Sequence, residues 1–185
     1  MTHPYALEAF DPDTGDLNAL IDTPKGSRNK YKLDEARGLF RLSGILPAGA
    51  SFPYDFGSVP STLGGDGDPL DVLVLMEEPA FVGCLVPARL IGVIEAEQTE
   101  KGRTERNDRL IAVAAPSRLH REVRSLQDLS PALLDEIEHF FISYNQVKGK
   151  EFRPLARADA ARARALVEEG VRRHTRRRQD TQQAA

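Results

Sequence analysis

Residues 65–75, GDGDPLDVLVL, set three carboxylates within six residues, directly in front of an unbroken apolar run. At ~5 Å each pair of such charges repels by about 0.8 kcal/mol in water, and several-fold more at a partly buried site. A solvated loop tolerates that crowding. A rim packed on a core does not, unless cations or protons offset the charge. The following VLVLM reads as a buried strand, so Asp66, Asp68 and Asp71 stand at its mouth. Pro69 fixes the backbone between Asp68 and the strand, and Asp66 and Asp68 project to the same side of an extended segment. Three convergent carboxylates are hard oxygen ligands, suited to magnesium, manganese or calcium and not to a thiolate-seeking metal. A calcium loop of the EF-hand type fails here, because its fifth position would be Leu70 and its glycine at position six would be Asp71.

The remainder of the chain sets the frame for that cluster. A length of 185 residues suits one domain with a good core. No apolar stretch approaches the ~20 residues of a membrane span, and no basic-then-apolar leader opens the chain. The single cysteine, Cys84, sits among apolar neighbours and reads as a buried thiol, which fits a cytoplasmic protein. The net charge of −3 hides an asymmetry, since residues 172–178, RRHTRRR, are strongly basic. With no aromatic residue interleaved, the run reads as a solvated helix end that complements the dipole and not as a nucleic-acid footprint.

Residues 1–18 show no clear period and read as an N-terminal arm. RNKYKL (28–33) alternates, DEARG (34–38) is turn-like and LFRLS returns, which predicts a hairpin. Residues 44–65 are rich in Gly, Pro and Ser and read mostly as loop. LDVLVLM (70–76), LVPARLIGVIEAE (85–97) and RLIAVAA (109–115) are strand-like runs at a spacing that suggests a small barrel or a highly curved sheet. Ser130 as cap and Pro131 at the first position predict a helix ending near Gly149, with Leu134, Ile137, Phe141 and Tyr144 on its apolar stripe. The Ala/Arg/Glu-rich segment 156–173 predicts a second, more exposed helix. Strands first and helices afterwards indicate the α+β class. The expected organisation is an arm at 1–18, one domain at 19–175, and a disordered basic and polar tail at 176–185.

Arg28, Lys30 and Lys32 share one side of the first hairpin strand. Cations facing a cluster of magnesium ligands suit a phosphorylated substrate, because fixed positive charge neutralises the leaving group. No Gly-x-x-x-x-Gly-Lys-Ser/Thr loop exists, and DFG (55–57) lacks the other kinase motifs.

DGDPLDVLV matches the Asp-Gly-Asp-Pro-x-Asp signature of the soluble family I inorganic pyrophosphatases, and the chain resembles that family from about Leu20 to Phe152. NKYKLD, FPYDFGSVPST, DRLIAVAAP and IEHFFISYNQVKGK are similar to its other segments. The resemblance implies a closed five-stranded OB-like β-barrel with two or three helices packed outside. It implies magnesium-dependent hydrolysis of diphosphate, with manganese as a substitute metal, and a homo-oligomer, usually a hexamer in bacterial-type members. Carried over by position, Asp66 and Asp71 hold metal, Asp68 is the base for the attacking water, and Lys30 and Tyr144 bind phosphate oxygens. Asp22 sits where the family commonly has glutamate.

The departures cluster at the site. Phe52 and Phe56 stand where the family has tyrosines, Lys32 replaces an acid, and Asn145 replaces a lysine. Ser43 or Gly44 falls where a phosphate-binding arginine is expected, with Arg41 nearby. Direct register sets Gln98 and Asn107 on two metal-binding aspartates and Arg109 on a substrate-binding lysine. A one-residue bulge would bring Asp108 round as the third metal ligand. Two other readings stay open: a non-catalytic phosphate- or metal-binding relative, and a hydrolase of a larger phosphoanhydride.

Overall fold

The computed structural model describes residues 7–34 and 37–183. These form nine strands and two helices: β1 Leu17–Thr23, β2 Asn29–Asp34, β3 Leu39–Ile45, β4 Asp55–Ser58, β5 Asp71–Leu75, β6 Leu85–Glu100, β7 Arg103–Arg106, β8 Arg109–Ala114, α1 Pro131–Val147, β9 Glu151–Asp159 and α2 Ala160–Gln183. β2 and β3 make the expected antiparallel hairpin. Its connecting turn includes residues outside the described ones, as does the start of the arm.

The other seven strands form one mixed sheet in the order β1-β4-β5-β8-β6-β7, with β9 on β6. β5 and β8 run parallel, which needs a long crossover, and the 16-residue β6 supplies it together with β7. β1 pairs with β4 on one side and β6 on the other. Successive side chains of a strand point to opposite faces. On β5, Val72 and Val74 enter one apolar cluster with Ala163, Leu166 and Val167 of α2. Leu73 and Leu75 enter a second with Ile137 and Phe141 of α1. Both faces of β5 are therefore covered. That is why its sequence runs apolar without alternation, at about 1.5–3 kcal/mol for each fully buried side chain.

Several elements depart from expectation. β1 begins within the stretch read as arm and runs on through residues given no element, β4 lies inside the stretch read as loop, and both are almost wholly buried. Gly57 explains part of the miss. A Cβ there would stand 2.2 Å from the Leu20 carbonyl oxygen, so β4 can lie on β1 only with glycine at this position. The segment 156–173 divides: residues up to Asp159 extend as β9 along β6, and α2 begins at Ala160. Pro154 is tolerated because it sits at the register shift opposite Glu95 and Ala96. α2 then continues through the basic run to Gln183, so residues 176–183 are helical. α1 matches its predicted span, although Val147 at its end is exposed. Cys84, expected buried, is only partly so.

Candidate active site

The parallel register of β5 and β8 sets Asp71 opposite Arg109, each at the first position of its strand. Their side chains meet, Arg109 Nη1 lying 2.9 Å from Asp71 Oδ2. The same nitrogen donates to the backbone oxygens of Asn107 and Asp108, each at 3.0 Å, and to Asn107 Oδ1. The guanidinium lies 4.7 Å from the Phe141 ring centre and 5.0 Å from that of Phe152. Arg109 is only 4% exposed, so this is a buried, oriented cation and not a surface arginine.

β4 carries Ser58 against Asp71, and β1 carries Asp22 into the same end of the sheet. Burial, and next the charge of Asp71, push the Asp22 carboxyl up to about 7, with Lys30, Ser58 and Lys32 opposing. Asp22 Oδ1 is buried and makes no hydrogen bond with any described residue. Lys30 enters from β2, its Nζ 4.7 Å from the centre of the Phe56 ring, 5.4 Å from Tyr144 and 5.9 Å from Phe52. Burial lowers the pKa of this ammonium and Asp71 opposes the fall. Phe52 and Phe56, which bring no hydroxyl, thus give Lys30 an aromatic wall whose π-faces suit a cation. Tyr144 belongs to that wall from α1, its hydroxyl bonded to Lys148 Nζ.

The acidic bend is held by its own backbone. Asp66 Oδ1 accepts the Asp68 N–H at 3.1 Å, and Gly67 between them takes φ +84°, a left-handed conformation that favours glycine. Burial, then the neighbouring Asp71, push the Asp66 carboxyl up to about 6. Asp68 points to the outer side, where Lys32 Nζ lies 2.8 Å from both of its oxygens. Lys32, which looks out of place in a list of site residues, therefore has a partner: the carboxylate of the same bend. Arg28, expected beside Lys30 and Lys32, turns away to donate to the Leu46 carbonyl at 3.0 Å. The bulge between Lys30 and Tyr31 sends the two lysines to different surroundings.

Asp66, Asp71 and Asp108 line one cleft of about 180 Å³, together with Arg106 and Asn107. Asp108 does not complete a trio of free carboxylates there. Its Oδ1 accepts the Ala96 N–H at 2.9 Å and Arg106 Nη2 at 2.7 Å, while Asn107 takes the place beside Arg109 and donates to Gln98 Oε1 at 3.2 Å. Burial raises the Asp108 pKa, with those two donors opposing. Among the described residues, no three His, Cys, Asp or Glu side chains are grouped so as to hold one metal ion. Magnesium does not require such a cage. It keeps several waters and takes one or two carboxylates plus substrate phosphate. Asp66 and Asp71 fit that requirement: two hard oxygen donors on one cleft, with burial and then the charge of Asp71 raising the Asp66 carboxyl to about 6.

Sequence reasoning missed the contribution of α2, whose Arg162 and Arg173 also line this cleft. No local signal carries that, since only the docking of the helix brings them there.

Comparison with known proteins agrees with this arrangement. The family described as inorganic pyrophosphatase matches residues 19–175. An inorganic pyrophosphatase of Synechocystis sp. is 39% identical over 161 residues, covering 87% of this chain and 93% of that protein. One from Halalkalibacterium halodurans is 39% identical over 153 residues, covering 83% and 91%. The crystal structure of the inorganic pyrophosphatase from Thermus thermophilus superposes with a TM-score of 0.85 at 32% identity, covering 94% of this chain and 99% of that one.

Proposed function

Because the chain belongs to the inorganic pyrophosphatase family, we propose that it hydrolyses diphosphate to two phosphates, with magnesium held at Asp66 and Asp71. One observation carries the reading: an acidic bend stands against buried cations, with Asp71 2.9 Å from Arg109 and electrostatically coupled to Lys30. Bound magnesium would polarise the phosphoryl oxygens and make water more acidic. Asp68 takes the proton of the attacking water. Its carboxylate sits on the open side of the bend, where Lys32 orients it. Lys30 and Arg109 bind phosphate oxygens and offset the charge that grows on the leaving phosphate. Both are already desolvated, so each acts in a low-dielectric setting where a fixed charge counts for more than in water. Tyr144 supplies a hydroxyl donor at the same mouth.

Family membership and the run of pairings, which leaves β1 through β4, β5 and β8 and returns to it through β6, support a closed OB-like barrel of five strands. We extend the reading to a cytoplasmic homo-oligomer, a hexamer, which the resemblance to bacterial-type members and the lone free Cys84 support. No helix of the described residues is long and apolar enough to cross a membrane.

The test is phosphate release from diphosphate, with magnesium and with EDTA, for the intact chain and for Asp68→Asn. Release should require the metal, and the variant should lose about 10²–10⁴-fold in kcat while its circular dichroism is unchanged. No turnover by the intact chain would favour the non-catalytic relative, a reading that Asn107 and Gln98 keep in view.

A further inference from the structure

The basic run at the end of α2 is not a free tail. Arg177 Nη1 donates to the Gly67 carbonyl at 3.3 Å, which fixes the helix end against the acidic bend. A second cleft, of about 550 Å³, opens there between Lys32, Asp68, His174, Arg177 and Arg178. It shares Pro69 with the cleft that holds Asp66 and Asp71. Arg173 lines the first cleft and Arg177 the second, four residues apart on the same helix face.

Along α2, Arg162 is matched by Glu95, Arg164 by Glu168 and Arg173 by Glu169, while Arg172 and Arg176 have no such partner among the described residues. Among the described residues, neither Arg177 nor Arg178 makes an ion pair. Lys32, Arg177 and Arg178 therefore face the one carboxylate of Asp68, while the hydroxyls of Ser61 and Thr181 on the wall donate to the Leu7 and Arg177 carbonyls. Fixed cations in excess around an open cleft suit a multiply charged oxyanion. Among the described residues, no Phe, Tyr or Trp lines the cleft to stack a base, which favours an inorganic chain over a nucleotide.

We infer that Arg177 and Arg178, with Lys32, form an accessory anion subsite that takes the additional phosphoryl group of a linear phosphoanhydride longer than diphosphate. The inference rests on the reading of the Asp66–Asp71 bend as the diphosphate site, because Pro69 borders both clefts and Asp68, on the second, belongs to the same bend. Lys32 holds Asp68 and lines the cleft that would receive the incoming anion.

Calorimetry in EDTA, where turnover is prevented, tests this with the full chain, Arg178→Glu and Arg177→Gln, using tripolyphosphate and diphosphate as separate probes. Arg178→Glu should weaken tripolyphosphate binding by about tenfold or more, the effect of reversing one charge at a contact, and leave diphosphate within about twofold. Arg177→Gln should act in the same direction, and thermal melting should show both variants folded. An equal loss for both probes, or no loss for tripolyphosphate, overturns the subsite. Since binding is read and not turnover, failure of the intact chain to hydrolyse diphosphate would remove the activity while these affinities still decide the subsite.

Discussion

Arg109→Met removes the buried cation that the sheet register places against Asp71. At 2.9 Å the gross attraction is about 6 kcal/mol for an effective dielectric constant near 20, and desolvation of both groups offsets part of it. Breaking such a pair by deleting one partner costs about 3–5 kcal/mol when both are buried. Asp71 keeps a quarter of its side-chain surface in contact with solvent, which moves the expectation to the low end, about 3 kcal/mol. The backbone oxygens of Asn107 and Asp108 also lose their donor, which holds the figure from falling further. Urea unfolding followed by circular dichroism should show the midpoint lowered by about 1–2 M. Arg109→Lys keeps the charge and loses the fork, so it should fall between the two. Magnesium should shrink the Met deficit, since a divalent cation at Asp66 and Asp71 substitutes for the missing charge. A loss below about 1 kcal/mol, or a deficit that magnesium leaves unchanged, would refute the view that Arg109 is the internal counter-ion of the acidic bend.

Gly57→Ala should destabilise by at least about 2 kcal/mol in thermal melts, because its Cβ would overlap the Leu20 carbonyl and drive β4 from β1. Asn107→Asp adds a carboxylate beside Asp71 and Arg109, and calorimetric affinity for manganese should rise by about tenfold or more. Glu77 accepts the N–H of Leu119 at 2.7 Å and of Arg118 at 2.6 Å, and these bonds with the Ser117 hydroxyl hold its carboxyl down to about 2, against an ordinary 4.5. The folded value lies below the unfolded one, so the stability this group adds is present above pH 4.5 and lost as pH falls towards 2. Glu77→Gln should flatten that limb of an acid titration followed by circular dichroism.

What local order dictates was legible before any fold was known. The Asp66–Asp71 bend, the hairpin of β2 and β3, and α1 with its Pro131 start depend on turn residues, alternation and helical period within a dozen residues. The family was legible in the same bend, because DGDPLDVLV matches that family's signature. Tertiary structure decided the rest. β9 formed from residues of good helix propensity because the edge of β6 offered a partner for its backbone, and β4 formed in a Gly-rich stretch because Gly57 lets two strands approach closely. At the site, the pairing of β5 with β8 brought Arg109 to Asp71, while Arg106 and the Ala96 N–H drew Asp108 aside. The docking of α2 turned a basic run, read alone as a solvated helix end, into a wall beside Asp68. Side-chain partners distant in sequence are chosen by register and helix docking, and neither leaves a signal in the residues nearby.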